Sequence, residues 1–266
     1  MRTLKVLMSF RGTQYHGFQR QSNALTVQEV VEDALSILLN EPVTIQGCSR
    51  TDKGVHANAF CFSLQTENPI PHRNFLRGSA MYLPDDIAIW SVEDVPADFH
   101  ARFSCTGKQY VYRIHNRESK NPFTTDLELH YRRPIDMALL QATANHFVGT
   151  HDFASFCSEC TGEKNTVRTI HSIRADRHGD SVTLTFHGDG FLYNMIRILV
   201  GTFLSVQEGH IPYSKLDEIL EARDRTLAGP KVAAHGLYLD RVYYGDDPLP
   251  AEQGKEENGF HGEDRA

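Results

Sequence analysis

The sequence predicts an α+β fold of two tandem βαββαβ halves whose sheets join side by side. Three observations carry this. Some segments alternate apolar and polar residues, as half-buried strands do. Others place apolar residues at helical spacing. The order of the two kinds runs along the chain twice.

The first strand is "LKVLMSF", with Leu4, Val6, Met8 and Phe10 on one face. "TVQEVVEDALSILL" follows as a helix. Thr26 and Glu29 make a capping-box pair at its start, and Val27, Val30, Val31, Ala34, Leu35 and Leu38 form its apolar stripe. "VTIQGCS" and "AFCFSLQ" read as the next two strands, the latter alternating Phe60, Phe62 and Leu64. A shorter helix over His72 to Tyr82 and a strand in "DIAIWSVE" complete the first series.

The second series opens with the strand "KQYVYRIHN". A helix, "DMALLQATANHFVG", follows Pro134. "VRTIHSIRAD" and "SVTLTFHG" form a hairpin turning at "RHGD". "FLYNMIRILVGTFLSVQEG" is a long amphipathic helix, a short helix spans Ser214 to Arg223, and "GLYLDRVYY" closes the series. Each half has the ferredoxin-like (RRM-like) split βαβ order. The expected organisation is an N-terminal half over 1–105, a C-terminal half over 106–245 and an acidic, disordered tail over 246–266. Two sheets joined this way leave a groove between the halves, where binding sites favour lying.

Composition bounds the setting. At 266 residues, 40% hydrophobic and 23% charged, the chain has the make-up of a soluble globular protein. It holds no run of about 18 apolar residues, so no transmembrane helix is expected. "MRTLKVLMSFRG" lacks a signal peptide's continuous apolar core. Five irregularly spaced cysteines do not suggest a secreted disulfide framework, and a reducing cytoplasm is the expected compartment. The net charge of −7 would argue against a nucleic-acid partner, but the tail dominates it. Seven acidic and two basic residues lie from Asp246 onward, leaving 25 basic and 27 acidic residues in the body. A nearly neutral body can hold a basic cleft.

"GCSRTDKGVHANAF", Gly47 to Phe60, crowds Arg50, Asp52, Lys53 and His56 between apolar runs. Gly54 permits a tight turn that pushes Asp52 outward. From the residues alone this is either a solvated loop with a capping aspartate or a carboxylate facing the groove.

"RTDKGVHA" at Arg50 to Ala57 resembles the R-T-D-x-G-V-H-A signature of the TruA family of tRNA pseudouridine synthases. Other segments match in family order: "YHGFQRQ", "DFHARFSCTGKQYVYRI", "GTHDFASF", "GDGFLYNMIRILVGT" and "HGLYLDRVYY". Together they span about residues 4 to 244. The resemblance implies an isomerase that turns uridine into pseudouridine at positions 38, 39 and 40 of the tRNA anticodon stem-loop. It implies Asp52 as the catalytic aspartate and Tyr110 as the tyrosine stacked on the target base. Arg50 would help flip the nucleotide, and Arg197 would pair with the aspartate. It implies a homodimer of tandem ferredoxin-like halves, with tRNA as partner and no membrane.

The chemistry fits. The reaction breaks the bond from N1 to the sugar and rejoins the uracil through C5. It involves no net redox change, so no cofactor or metal is expected. One anionic group is needed as nucleophile or base. A carboxylate is ionised at neutral pH, and a nearby guanidinium is expected to keep it so. The residues leave open whether Asp52 attacks the base at C6 or acts at the sugar.

Plainer readings stand beside these. Tyr110 also fits a core aromatic, Arg197 a solvated helix residue, and His56 and His100 either RNA contacts or structural groups. Phe191, Leu192, Met195 and Ile196 read as core. "CSEC" at Cys157 to Cys160 holds two of the ligands a zinc site needs but lacks a second pair, and exposed thiols are expected there. "KVAAHGL" departs from the family's A-P-x-x-G-L and is expected to leave a looser loop. Arg20, Arg50, Lys53, Arg77, Arg102, Lys108 and Arg113 are the candidates for a phosphate-binding surface. From another class, a noncatalytic RNA-binding module or RNA chaperone would also suit two RRM-like halves, though binding alone needs no carboxylate in a groove facing phosphate.

Overall fold

The computed structural model describes residues 1–158, 165–245 and 247. The N-terminal series is β1 (Arg2–Phe10), α1 (Val27–Leu39), β2 (Gln46–Gly47), β3 (His56–Thr66), α2 (His72–Tyr82) and β4 (Ile87–Val95). The C-terminal series is β5 (Cys105–Asn116), β6 (Leu129–Tyr131), α3 (Met137–Asn145), β7 (Gly149–Asp152), β8 (Val167–His178), β9 (Ser181–Gly188), α4 (Met195–Gln207), α5 (Leu216–Ala222) and β10 (Leu237–Tyr244).

The ten strands of the described residues join one sheet. Its order is β4-β1-β3-β10-β5-β9-β8-β7, with β2 paired to β3 and β6 to β5. Each half keeps the split βαβ arrangement, β1 lying between β3 and β4 and β5 between β9 and β10. The halves meet at β10. It runs antiparallel to β5 and touches β3 in a short parallel ladder, Tyr238 opposite His56 and Leu239 opposite Ala57.

The core follows from the alternation. Leu4, Val6, Met8 and Phe10 of β1 and Phe60, Phe62 and Leu64 of β3 are buried together with Val27, Val31 and Leu35 of α1. In the other half Leu184 and Phe186 of β9 share the core with Ile198, Leu199 and Phe203 of α4. The Thr26 hydroxyl caps α1 by accepting from Glu29 N at 3.4 Å. The return half of the capping box is not among the bonds seen. The Glu29 carboxylate instead lies 3.5 Å from Arg20.

The expected strand "VTIQGCS" shrinks to Gln46–Gly47. The reason is a buried acid on α1. Glu32 accepts from Ile45 N at 3.1 Å, and Ser36 Oγ accepts from Val43 N at 2.9 Å. Helix side chains thus satisfy backbone donors that a ladder would otherwise use. The helix expected from Phe191 begins only at Met195, because Asn194 adopts the left-handed region at φ 60°. β6 and β7, of three and four residues, had no alternation long enough to read.

Cys157 is buried and disulfide-bonded, which overturns the expected exposed thiol there. Its neighbour in the motif, Cys160, lies outside the described residues. Among the described residues no three His, Cys, Asp or Glu gather as a metal site, and no helix is long and apolar enough to cross a membrane. The expected disordered tail also lies outside the described residues, save Asp247, whose carboxylate accepts from Tyr244 N at 2.9 Å.

His56 belongs to this framework. Its Nδ1 accepts from Gly12 N at 3.0 Å, so Nε2 carries the proton. Nε2 then donates to Asp126 O at 3.0 Å and His235 O at 3.1 Å, tying together three loops. The ring stacks on Tyr238 at 4.7 Å. Burial pushes its pKa down to about 4. The unfolded chain takes up that proton near pH 6.5, whereas the native protein resists it to about 4. The associated stability is therefore complete above pH 6.5 and is lost as pH falls toward 4, by about 3 kcal/mol. Denaturant unfolding of His56→Gln should show lower stability at pH 7.5 but a shallower decline into acid. An unchanged acid slope would remove His56 as its source.

Candidate active site

A cleft of about 670 Å³ opens where the halves meet. The β2–β3 loop contributes Ser49 to Lys53, β5 contributes Lys108 and Tyr110, and the segment entering α4 contributes Phe191 to Ile196. The loop turns because Gly54 takes φ 80° and Val55 N donates back to Asp52 O at 3.1 Å.

Asp52 is half-buried. Arg197 Nη1 donates to its Oδ2 at 3.5 Å, a long ion pair across the two halves. Burial raises the carboxyl's pKa above its ordinary value, and the opposing pull of Arg197, and more weakly of Lys231, does not cancel it. The guanidinium expected beside Asp52 is present, and burial acts against it. The expectation counted the partner but not the desolvation.

Arg197 is fixed at both ends of its guanidinium. Nε donates to Val232 O at 2.9 Å and Nη1 to Asn194 Oδ1 at 2.7 Å. Val232 N donates back to Arg197 O at 3.3 Å. Tyr112 OH donates to Ala233 O at 2.8 Å, and His56 holds His235 O. The segment expected to be looser without the proline is held at three carbonyls, those of Val232, Ala233 and His235.

Tyr110 lines the cleft yet is only 7% exposed. Its hydroxyl is hydrogen-bonded to Ser49 Oγ at 3.2 Å, and its ring meets Phe191 edge-on at 5.3 Å. Tyr110 is thus packed in the core while one side of it forms cleft wall. Phe191, Leu192, Met195 and Ile196, expected as core, also form cleft wall.

Arg50 is exposed at the rim and makes no hydrogen bond or ion pair with the described residues. Lys53, Arg102, Lys108 and Arg168 also line the cleft, and Asp52 is the one acidic lining residue among those described. Three expected cations lie elsewhere. Arg20 is engaged by Glu32 at 2.9 Å, Asp33 at 3.2 Å and Glu29 at 3.5 Å. Arg113 lies over Tyr238 at 4.2 Å. As an odd position on β5, it faces away from Tyr110 and Tyr112. Arg77 is exposed on α2, outside the cleft lining. His100 is structural, its Nδ1 accepting from Arg102 N at 3.1 Å and Phe103 N at 3.4 Å. Asn194 and Lys231 were missed altogether. Neither residue type at its spacing announces a site.

The family model for tRNA pseudouridine synthase matches residues 6–104 and 143–245. The chain belongs to the tRNA pseudouridine synthase family. Proteins named tRNA pseudouridine synthase A from Acetivibrio thermocellus and Ruminiclostridium cellulolyticum are each 41% identical, covering 92% of this chain and 100% of theirs. One from Clostridium acetobutylicum is 40% identical with the same coverage. Arg50 and Asp52 fall in the first segment matched to the tRNA pseudouridine synthase model and Arg197 in the second, while Tyr110 lies between them.

Proposed function

We propose that the protein isomerises uridine to pseudouridine in tRNA, at positions 38, 39 and 40 of the anticodon stem-loop. Asp52 is the essential carboxylate, Tyr110 the stacking surface for the target base, Arg50 the group that manages the flipped nucleotide, and Arg197 the partner of Asp52. One observation carries the reading: among the described residues, the cleft holds one desolvated carboxylate, paired with a guanidinium, and its other charged walls are cationic. A module that only bound RNA would lose affinity by keeping an anion there.

The chemistry follows from the groups present. A base paired in a stem must first be extruded. Arg50, at the rim and without a partner among the described residues, can take a phosphate as that happens. Stacking on an aromatic face is worth about 1–3 kcal/mol per base. The N1–C1′ bond breaks, the uracil turns, and a C5–C1′ bond forms. The C5 proton leaves and N1 ends protonated, so atoms and electrons balance without a cofactor. Asp52 serves as nucleophile or base, its basicity strengthened by burial. The family resemblance further supports a homodimer, which light scattering on the purified protein would test.

Incubation with unmodified tRNA and mapping of pseudouridine tests the whole reading. Binding without product would favour the noncatalytic module. The cationic wall has its own test. Lys108→Ala should weaken tRNA binding and reduce the salt slope by about one. Arg113→Ala, on the far face of the sheet, should leave the slope unchanged. Equal effects would place tRNA on both faces.

A further inference from the structure

Arg197 is shared unequally. Its Nη1 lies 2.7 Å from the neutral Asn194 Oδ1 and 3.5 Å from the charged Asp52 Oδ2. A guanidinium free to choose prefers a carboxylate at about 2.7–2.9 Å. Something therefore holds it back. Nε is anchored on Val232 O, and Asn194 takes the other side.

Asn194 is unusual in three ways. It sits at φ 60° and ψ 8°, immediately before α4. It makes no side-chain capping bond to that helix, the ordinary reason for an asparagine there. It is buried, and its Nδ2 has no partner among the described residues. The amide orientation is forced, because a guanidinium only donates and Oδ1 must face it. A buried donor is left unsatisfied to present that oxygen.

We propose that Asn194 is a positioning residue that holds Arg197 off Asp52, leaving the carboxylate only partly neutralised and its oxygens open to substrate. The inference rests on Asp52 being the catalytic carboxylate. Without the Asn194 oxygen, Nη1 closes on Oδ2. The carboxylate then becomes a weaker base with one oxygen occupied. The groups facing Asp52 are Arg197 from α4, Lys231 from the segment before β10, Lys108 and Tyr110 from β5, and Arg50, Lys53, His16, Arg102 and Arg168 around the cleft. His16 Nε2 lies against Lys53 Nζ at 2.9 Å.

The test is Asn194→Gly, since glycine keeps φ 60° without strain. Single-turnover rates on tRNA should fall roughly tenfold, with KM little changed. The acid-limb midpoint should move down by about one pH unit. A purely structural role would lower rate and stability without moving the midpoint, and that result overturns the proposal. Asn194→Asp is the second variant. Its carboxylate draws Arg197 further away and should move the Asp52 midpoint up; a fall or no change counts against the proposal. Carboxyl NMR titration of Asp52 in all three proteins gives the same answers without turnover. If the wild type makes no pseudouridine the functional reading fails, while the NMR titration still decides whether Asn194 holds Arg197 off.

Discussion

Asp52→Asn is expected to reduce pseudouridine formation by roughly four orders of magnitude or more, in single-turnover mapping on unmodified tRNA. No other acid lines the cleft among the described residues, so no neighbour can take over. The amide keeps the shape and can still accept from Arg197, but it is neither nucleophile nor base. The fold should not suffer. Burial raises the native pKa of Asp52 above its unfolded value, so ionisation there opposes folding at neutral pH. Removing the charge should leave the melting temperature at pH 7.5 unchanged or slightly raised. In the wild type, activity should fall in acid with a midpoint above the ordinary carboxylate range. Full activity in the variant would remove Asp52 from the chemistry.

The second large effect is expected at Gly201→Ala. A Cβ there would stand 1.7 Å from Pro230 O and 2.9 Å from Pro230 C. Alanine improves helix propensity by about 1 kcal/mol in a helix interior. Overpacking of a tight core costs about 1–3 kcal/mol, and a backbone clash this close exceeds that range, so the clash wins. The segment before β10 must move off α4, and with it Val232, whose carbonyl anchors Arg197. Denaturant unfolding should show a loss of more than about 2 kcal/mol by that estimate. Turnover should drop about a hundredfold, the scale of a 1 Å misplacement. Wild-type values for both would mean that helix and segment separate freely.

These two residues illustrate how unevenly a sequence displays its structure. Asp52 stands in a dense motif, and Tyr110 and Arg197 in others, so the pairing across the halves was readable from the resemblance. Gly201 carries no such mark, because its role is the absence of an atom beside a segment 29 residues away in the chain. Helix α2 and strand β9 match their predicted limits, since periodicity and turn residues are local. "VTIQGCS" has strand composition but lost its ladder to Glu32 and Ser36, two acceptors visible only in three dimensions. The far-side position of Arg113 is legible in its odd spacing relative to Tyr110, although its charge alone suggested the phosphate-binding surface. The direction of the Asp52 titration was not legible, because desolvation depends on the groups packed around a residue in space rather than on its neighbours in sequence.

The central place of β10 has a consequence for timing. A growing chain can complete β4-β1-β3 early, and β5, β9 and β8 later. Until Leu237 to Tyr244 leave the ribosome, though, β3 and β5 face each other as two open edges. The Asp52 loop leads into β3, and the clamp on Arg197 sits just before β10. The Asp52–Arg197 pair therefore cannot assemble until β10 has been made, so the cleft forms only after both halves are in place.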